Sequence, residues 1–180
     1  YRTSLKERTR EADPSGWAAT YYNLAQLLSR LGSRAAEDPT RAGRHLAQAI
    51  ASARAAQRIF TQADKPLRWA TLQNLIGYDL VLLGEQTDAL PLFEEAVPIL
   101  RQALEVQQAL QSKSVPFTAD SLCRALLGLG ERKRDRAMLL EAKAVCESAA
   151  AGLIAAGKDQ LAATTATHLQ QTNTALETLE

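Results

Sequence analysis

The chain has 180 residues, of which 46% are apolar and only 5% aromatic, and its 21 basic residues nearly balance 20 acidic ones. This length and composition allow a sizeable hydrophobic interior, and a net charge of +1 gives no reason to expect a polyanionic partner. The basic residues are dispersed and lack interleaved aromatic residues, so nucleic-acid binding is not expected. No segment reaches the roughly 20 apolar residues that a membrane span needs, so no membrane association is expected either.

The amino-terminal third of the chain predicts a pair of helices. Asp13 and Asp38 each precede a proline, the pattern of an N-cap followed by a first-turn residue that needs no backbone donor. The helices predicted from these starts run to about Leu31 and Gln62. Residues 1–12 are typical either of the tail of a preceding repeat or of a charged leader.

The central stretch from residue 69 to residue 96 has the clearest pattern. Apolar residues recur every three or four positions, which predicts two amphipathic helices joined by a short turn. Gly84 is predicted to end the first helix in a left-handed C-cap, and Thr87 or Asp88 to cap the second. The apolar positions are Trp69, Leu72, Ile76, Leu80, Leu83, Ala89, Phe93, Ala96 and Val97.

Two prolines lie in the second of these helices. Pro91 falls in the first turn, where its missing N–H matters little. Pro98 lies further inside, where it removes a hydrogen bond to Glu94 and crowds that carbonyl. We therefore predict a kink near Glu94 in a helix that continues to about Ser112.

Two other stretches repeat the central one. In the first copy, Trp17 and Gly32 take the places of Trp69 and Gly84. The other matches in that copy are Leu24, Ala25, Leu28, Leu31, Ala42, Leu46 and Ala49. The third copy is fainter, and in it Glu141 takes the place of Phe93. Its matching residues are Val115, Leu122, Cys123, Leu126, Leu129, Gly130, Ala137, Glu141 and Ala144.

These copies divide the chain into one helical array. The predicted units are the tail 1–12, three repeats at 13–63, 64–112 and 113–157, and a closing helix at 158–180. Asp159 is predicted to cap the closing helix, which is rich in threonine and therefore needs docking to stay folded. Its docking residues would be Leu161, Leu169, Leu176 and Leu179.

The two cysteines, Cys123 and Cys146, have neither metal-ligand nor redox spacing. We interpret both as buried packing residues; a disulfide is the alternative if their helices lie side by side. The basic run at 131–136 is interpreted as a solvated turn, with a weak anion contact as the alternative.

No catalytic constellation is recognised. His45 and His168 lie far apart on separate helices, and there is no phosphate-binding glycine loop, metalloprotease motif or serine elbow. Glu94 and Glu95 are neighbours on a helix and so point in different directions. We therefore expect neither enzymatic activity nor a cofactor nor a metal site.

The order of Trp, Leu or Ile, a small residue, Leu and Gly, followed by Ala, Phe and Ala, resembles the tetratricopeptide repeat. Phrases such as WATLQNLIG, and LLGE followed by FEEAV, are similar to long-repeat bacterial members of that family, and the resemblance covers roughly 14–150. The period is longer, because 52 residues separate Trp17 from Trp69 and 46 separate Gly84 from Gly130, against about 34 in the standard repeat. The resemblance implies an all-α fold of antiparallel helix hairpins stacked as a right-handed α-solenoid.

The resemblance also implies a function. In such arrays the first helix of each repeat lines a concave face that receives a protein or peptide. The residues of this chain that match that face are Tyr22, Gln26, Asn74, Tyr78, Asp120 and Arg124. His168 is added from the closing helix. We expect a non-catalytic binding scaffold from within a larger bacterial protein. The alternative is a module that forms homo-oligomers or positions a neighbouring effector domain. The chain begins at Tyr1 rather than methionine, which leaves a preceding segment open, and we expect a cytoplasmic location.

Overall fold

A computed structural model describes residues 9–35 and 37–179 of the chain. This part is all-α and has no strand. Its seven helices are α1 (Pro14–Arg34), α2 (Pro39–Gln57), α3 (Pro66–Thr87), α4 (Leu90–Ala109), α5 (Val115–Lys133), α6 (Arg136–Ala155) and α7 (Asp159–Glu177). The tail predicted at 1–12 falls mostly outside the described residues, and 10–12 form a turn. None of the described helices is both long and apolar enough to cross a membrane.

The predicted helix starts are confirmed where an aspartate precedes the helix and accepts a backbone hydrogen bond. Asp13 accepts one from the Gly16 N–H at 2.8 Å, and Asp38 accepts one from the Arg41 N–H at 2.9 Å. The predicted cap of α4 is wrong, because Asp88 ends α3 and α4 begins after Ala89 without a side-chain cap. The closing helix likewise lacks a side-chain cap, and Asp159 is its first residue.

The glycines predicted as C-caps have a different role. α3 continues past Gly84 to Thr87, and the left-handed residue is Asp88, with a φ of 52°. A Cβ on Gly84 would lie 2.8 Å from Cε2 of the Phe93 ring, so this glycine is needed for space rather than for backbone conformation. Gly130 plays the same part against the Leu139 side chain, at 2.9 Å.

This contact corrects the alignment of the third repeat. Leu139 lies nine residues after Gly130, as Phe93 lies nine residues after Gly84, so Leu139 and not Glu141 takes the place of Phe93. Leu139 is fully buried, whereas Glu141 is partly exposed and pairs with Arg101 of α4 at 2.5 Å. The third repeat therefore matches the second at a constant offset of 46 residues.

Consecutive helices pack against each other along the whole described chain. In addition, α1 contacts α3, α3 contacts α5 and α5 contacts α7, whereas α2, α4 and α6 make no comparable backbone approach to one another. The odd-numbered helices thus lie side by side. The apolar stripe predicted on α1 is only partly covered, and Leu31 is 40% exposed, because among the described helices α1 has such a neighbour on one side only.

α4 runs without interruption through Pro98 and ends at Ala109, three residues before the predicted end. The kink at Glu94 stays a prediction.

The two cysteines are buried, as predicted, but they are bonded to each other. The Cys123–Cys146 disulfide joins α5 to α6 with a Cα–Cα distance of 5.0 Å, and both residues are fully buried. The interpretation as unbonded packing residues is therefore wrong. The disulfide replaces the contact that Gly77 of α3 makes with Leu100 of α4, a pair with the same spacing of 23 residues.

Reduction of the disulfide is expected to lower the free energy of unfolding by about 3 kcal/mol, because the cross-link closes a loop of this length in the unfolded chain. Urea denaturation with and without a reducing agent measures the loss. The double variant Cys123→Ala/Cys146→Ala is the control, since its unfolding midpoint should not respond to the reductant. An unchanged wild-type midpoint under reducing conditions would contradict the stabilising role.

Candidate functional site

Of the seven predicted site residues, two form a local pair on α1. The side-chain amide of Gln26 donates a hydrogen bond to the Tyr22 hydroxyl at 2.7 Å. Burial raises the pKa of Tyr22, while the Arg68 guanidinium of α3 acts in the opposite direction. Tyr22 and Gln26 are therefore half-buried at the α1–α3 boundary with their mutual hydrogen bond already made.

Four of the other predicted residues meet where α3, α5 and α7 adjoin. Together with a glutamate that the sequence analysis did not select, they form the group we call the polar cluster: Tyr78, Glu85, Asp120, Arg124 and His168. The Arg124 Nε donates to Glu85 Oε1 at 2.6 Å, and a second guanidinium nitrogen donates to the other carboxylate oxygen. This bidentate pair connects α5 to α3.

The electrostatics of the polar cluster follow from its partial burial. Burial raises the pKa of Tyr78, against the influence of Arg124, so the phenol stays protonated. Burial also acts to lower the pKa of Arg124, but the hydrogen bond and charge of Glu85 outweigh it and the pKa is raised. The cluster therefore presents a neutral hydroxyl beside an ion pair.

Asp120 is the least accessible member of the cluster. It is buried, and its carboxylate accepts a hydrogen bond from the Thr165 hydroxyl of α7 at 2.6 Å. Burial raises the pKa of Asp120, while Thr165, His168 and Arg124 lower it. This residue links α5 to α7 and contributes little surface for a partner to contact.

His168 and Asn74 each carry a buried polar atom with no hydrogen-bond partner among the described residues, His168 Nδ1 and Asn74 Oδ1. Burial lowers the pKa of His168, and Arg124 lowers it further, so the imidazole is neutral at neutral pH. Asn74 lies one helical turn before Tyr78 on α3. Both atoms are enclosed by the protein, so each is a polar group buried without a hydrogen bond, which costs stability.

A shallow cavity of about 350 Å³ opens beside the polar cluster. Among its lining residues are Glu85, Arg124, Glu131, Arg132 and His168. It offers hydrogen-bond donors and acceptors and charges of both signs. That combination suits recognition of a polar chain.

A buried acid on the other side of α3 was missed. Asp79 is fully buried, and it accepts a hydrogen bond from the Ser29 hydroxyl of α1 at 2.5 Å. Its second oxygen has no partner among the described residues. Burial raises the pKa of Asp79 to about 7, which the Ser29 hydrogen bond only partly offsets. In the sequence, the position of Asp79 between apolar residues of α3 was the signal that could have indicated a buried acid.

Other sequence interpretations concern residues near the site. Glu94 and Glu95 do point apart, since Glu94 pairs with Lys133 and Glu95 with Arg54. The basic run at 131–136 is not simply solvated, because Arg132 pairs with Asp88 at 2.8 Å and Lys133 with Glu94 at 2.6 Å. His45 is half-buried on α2, away from the cluster members in sequence.

Within the described ranges, no group of three or more His, Cys, Asp or Glu residues could hold a metal ion. Comparisons with protein-family models, curated proteins and solved structures give no match to this chain.

Proposed function

We propose that this chain is a non-catalytic scaffold that binds a protein or peptide along the face carried by α1, α3, α5 and α7. The helix hairpins would stack as a right-handed, tetratricopeptide-like α-solenoid with this face on its concave side. The constant offset of 46 residues between the second and third repeats and the side-by-side contacts of the odd-numbered helices support the arrangement. Each repeat contributes equivalent positions to the same face.

The observation that carries the proposal is the polar cluster with its cavity. The wall of the cavity includes Glu85, Arg124 and His168. A peptide backbone supplies N–H and C=O groups at short intervals and would form hydrogen bonds with such polar side chains. Tyr78 adds a flat, half-buried ring of the kind that anchors interfaces.

A screen of immobilised peptides tests the proposal. For the peptides retained, Tyr78→Ala is expected to weaken binding by about tenfold or more, as for a central interface tyrosine. Tyr78→Phe keeps the ring and should lose less, and Gln108→Ala, exposed on α4, should lose nothing. Equal binding by wild type, Tyr78→Ala and Arg124→Ala would remove this face from the proposal.

A second candidate function is assembly of the chain with itself or alongside an effector domain. Its support is that large apolar side chains are exposed on helices near both ends of the described chain. Leu27 on α1 is 44% exposed, and Ile154 on α6 is 62% exposed. Light scattering over a concentration series separates the candidates, because assembly predicts a mass that grows with concentration. A constant monomer mass would count against it.

A further inference from the structure

A cleft of about 760 Å³ lies between the carboxyl-terminal halves of α5 and α7. Its wall includes Glu131, Leu139, Gln170, Thr174 and Ala175. This junction of α5 with α7 is the counterpart, 46 residues later, of the junction of α3 with α5. At the earlier junction the Phe93 ring fills the space between the two helices, and comparing the two junctions explains why the later one holds a larger opening.

The first difference is in packing. In the closed junction, Phe93 lies against Gly84 on one side and Gly128 on the other, and a Cβ on Gly128 would overlap the ring. The counterpart of Phe93 is Leu139, which has no ring, and the counterpart of Gly128 is Thr174, a branched residue. The smaller side chain fills less space while the larger one holds α7 away from α5, so a cleft results.

The second difference is in charge. Three ion pairs connect α5 to the preceding hairpin: Arg124–Glu85, Arg132–Asp88 and Lys133–Glu94. The three basic residues have as counterparts on the closing segment Gln170, Thr178 and Leu179. None of the three carries a charge, so in the part of the chain that the structure describes no ion pair of this kind joins α7 to α5.

Glu131 is the residue left over by this change. It is the counterpart of Glu85, and within residues 9–35 and 37–179 no ion pair or hydrogen bond engages its carboxylate. Partial burial raises its pKa, and the neighbouring Arg132 lowers it. Arg132 is already engaged, since it pairs with Asp88 and its Cζ lies 4.4 Å from the centre of the Phe93 ring.

The cleft therefore presents an exposed carboxylate that has no ion-pair partner within the described residues, beside an Arg132 that is already paired. α5 and α7 both end beside it, and the carbonyl ends of helices carry partial negative charge. Arg134 also lies on the wall, at the turn after α5. The amide and hydroxyl groups of Gln170 and Thr174 provide further acceptors, and Leu139 and Ala175 provide an apolar surface.

We propose that the cleft between α5 and α7 binds an arginine side chain of a partner peptide, whose guanidinium pairs with Glu131 as Arg124 pairs with Glu85. The planar guanidinium fork matches a carboxylate in two hydrogen bonds, and the aliphatic stem of the arginine would lie on Leu139 and Ala175. This inference rests on the proposed function, because it names the side chain that a bound peptide would present at this end of the face.

The probe is N-acetyl-arginine amide, titrated into the protein and followed by amide chemical shifts, with N-acetyl-citrulline amide as the uncharged control of similar shape. Shifts are expected at Gln170, Gln171 and Thr174 with the arginine probe only. Glu131→Gln should lower the affinity for the probe by about tenfold or more, because one charge-assisted pair is lost. Glu147→Gln, an exposed position on α6, is the matched control and should change nothing.

A second variant tests the same site from within the chain. Gln170→Arg would supply the missing guanidinium, so it should raise the melting temperature and abolish probe binding, and Glu131→Gln should cancel the gain in stability. The proposal would be overturned if the citrulline control bound as well as the arginine probe, or if Glu131→Gln or Gln170→Arg left probe binding unchanged. Preferential binding of N-acetyl-glutamate amide through Arg134 would overturn it as well. Tyr78→Ala should leave binding of the probe unaffected. If Tyr78→Ala also left peptide binding unchanged while the probe still bound, the proposed function alone would fail.

Discussion

Asp79→Asn is expected to make the protein more stable at pH 8 while changing its stability little near pH 4. Asp79 is fully buried with a pKa raised to about 7, whereas an unfolded aspartate titrates near 3.9. The folded chain therefore holds a proton at this site that the unfolded chain has already released at moderately acidic pH. Stability then falls as the pH rises from about 4 to about 7 and levels off above that.

The size of the effect follows from the two pKa values. Their separation corresponds to a loss on the order of 4 kcal/mol between the acidic and the neutral limits, taken as an upper value. Asparagine stays uncharged throughout, and its oxygen can still accept the hydrogen bond from Ser29. The variant should therefore lack most of this pH dependence.

Urea denaturation at several pH values between 4 and 8 measures the prediction. Glu105→Gln, an exposed position on α4, is the control, and its pH profile should follow that of the wild type. If the wild type instead gained stability from pH 4 to pH 8 relative to Asp79→Asn, the pKa of Asp79 would be lower in the folded chain than in the unfolded chain, which would contradict the prediction.

Phe93→Ala is expected to cost about 4 kcal/mol of unfolding free energy, within the range for buried aromatic truncations. Phe93 is fully buried and fills the space between two glycines, Gly84 and Gly128, where no other side chain is available to close the gap. The Arg132 guanidinium over the ring would lose its aromatic contact as well. The loss therefore combines a cavity with a weakened junction of α3 with α5.

Phe93→Leu is the informative companion to this variant, because the next repeat already uses Leu139 at the same position. It should cost much less, about 1 to 2 kcal/mol, since an aliphatic side chain still occupies most of the space. Thermal and urea denaturation measure both variants. If Phe93→Ala were no worse than Phe93→Leu, the ring would not be what closes this junction.

Sequence reasoning predicted the starts of the first two helices well because each begins with a strong local signal. Prolines and aspartates at 13–14 and 38–39 act within a few residues, and the structure confirms both starts. The ends were predicted less well. Gly84 has the residue type of a C-cap, yet its actual constraint is the Phe93 ring on the next helix, which only the folded arrangement shows.

The candidate site was predicted only in part, because some of its contacts also depend on the folded arrangement. Equivalent positions on successive helices identified Tyr78, Asp120 and Arg124, which the structure does bring near one another. The partner of Arg124 is Glu85, which lies 39 residues earlier. Spacing within one helix cannot show such a pairing, since it depends on how neighbouring hairpins align.

The sequence makes the disulfide depend on whether the two cysteine-bearing helices lie side by side, and the alignment with Glu141 in the place of Phe93, which is wrong by two residues, does not show this. With Glu141 in the place of Phe93, Cys146 does not fall opposite Cys123. With Leu139 in that place, the two cysteines take the positions of Gly77 and Leu100, which are in contact in the repeat before. A correct alignment of the third repeat would have favoured the bonded form.

The unequal junctions also set how the chain would come apart under mechanical tension. Under tension on both ends, α7 is expected to detach before α5, because α7 lacks the three ion pairs that fasten α5 to the hairpin before it. The α5–α6 hairpin is tethered differently, because the Cys123–Cys146 bond joins its two helices and shortens the length released when it unfolds. Force spectroscopy on the intact chain would then record α7 unfolding at a lower force than the α5–α6 hairpin, and the extension of that hairpin would lengthen once the disulfide is reduced.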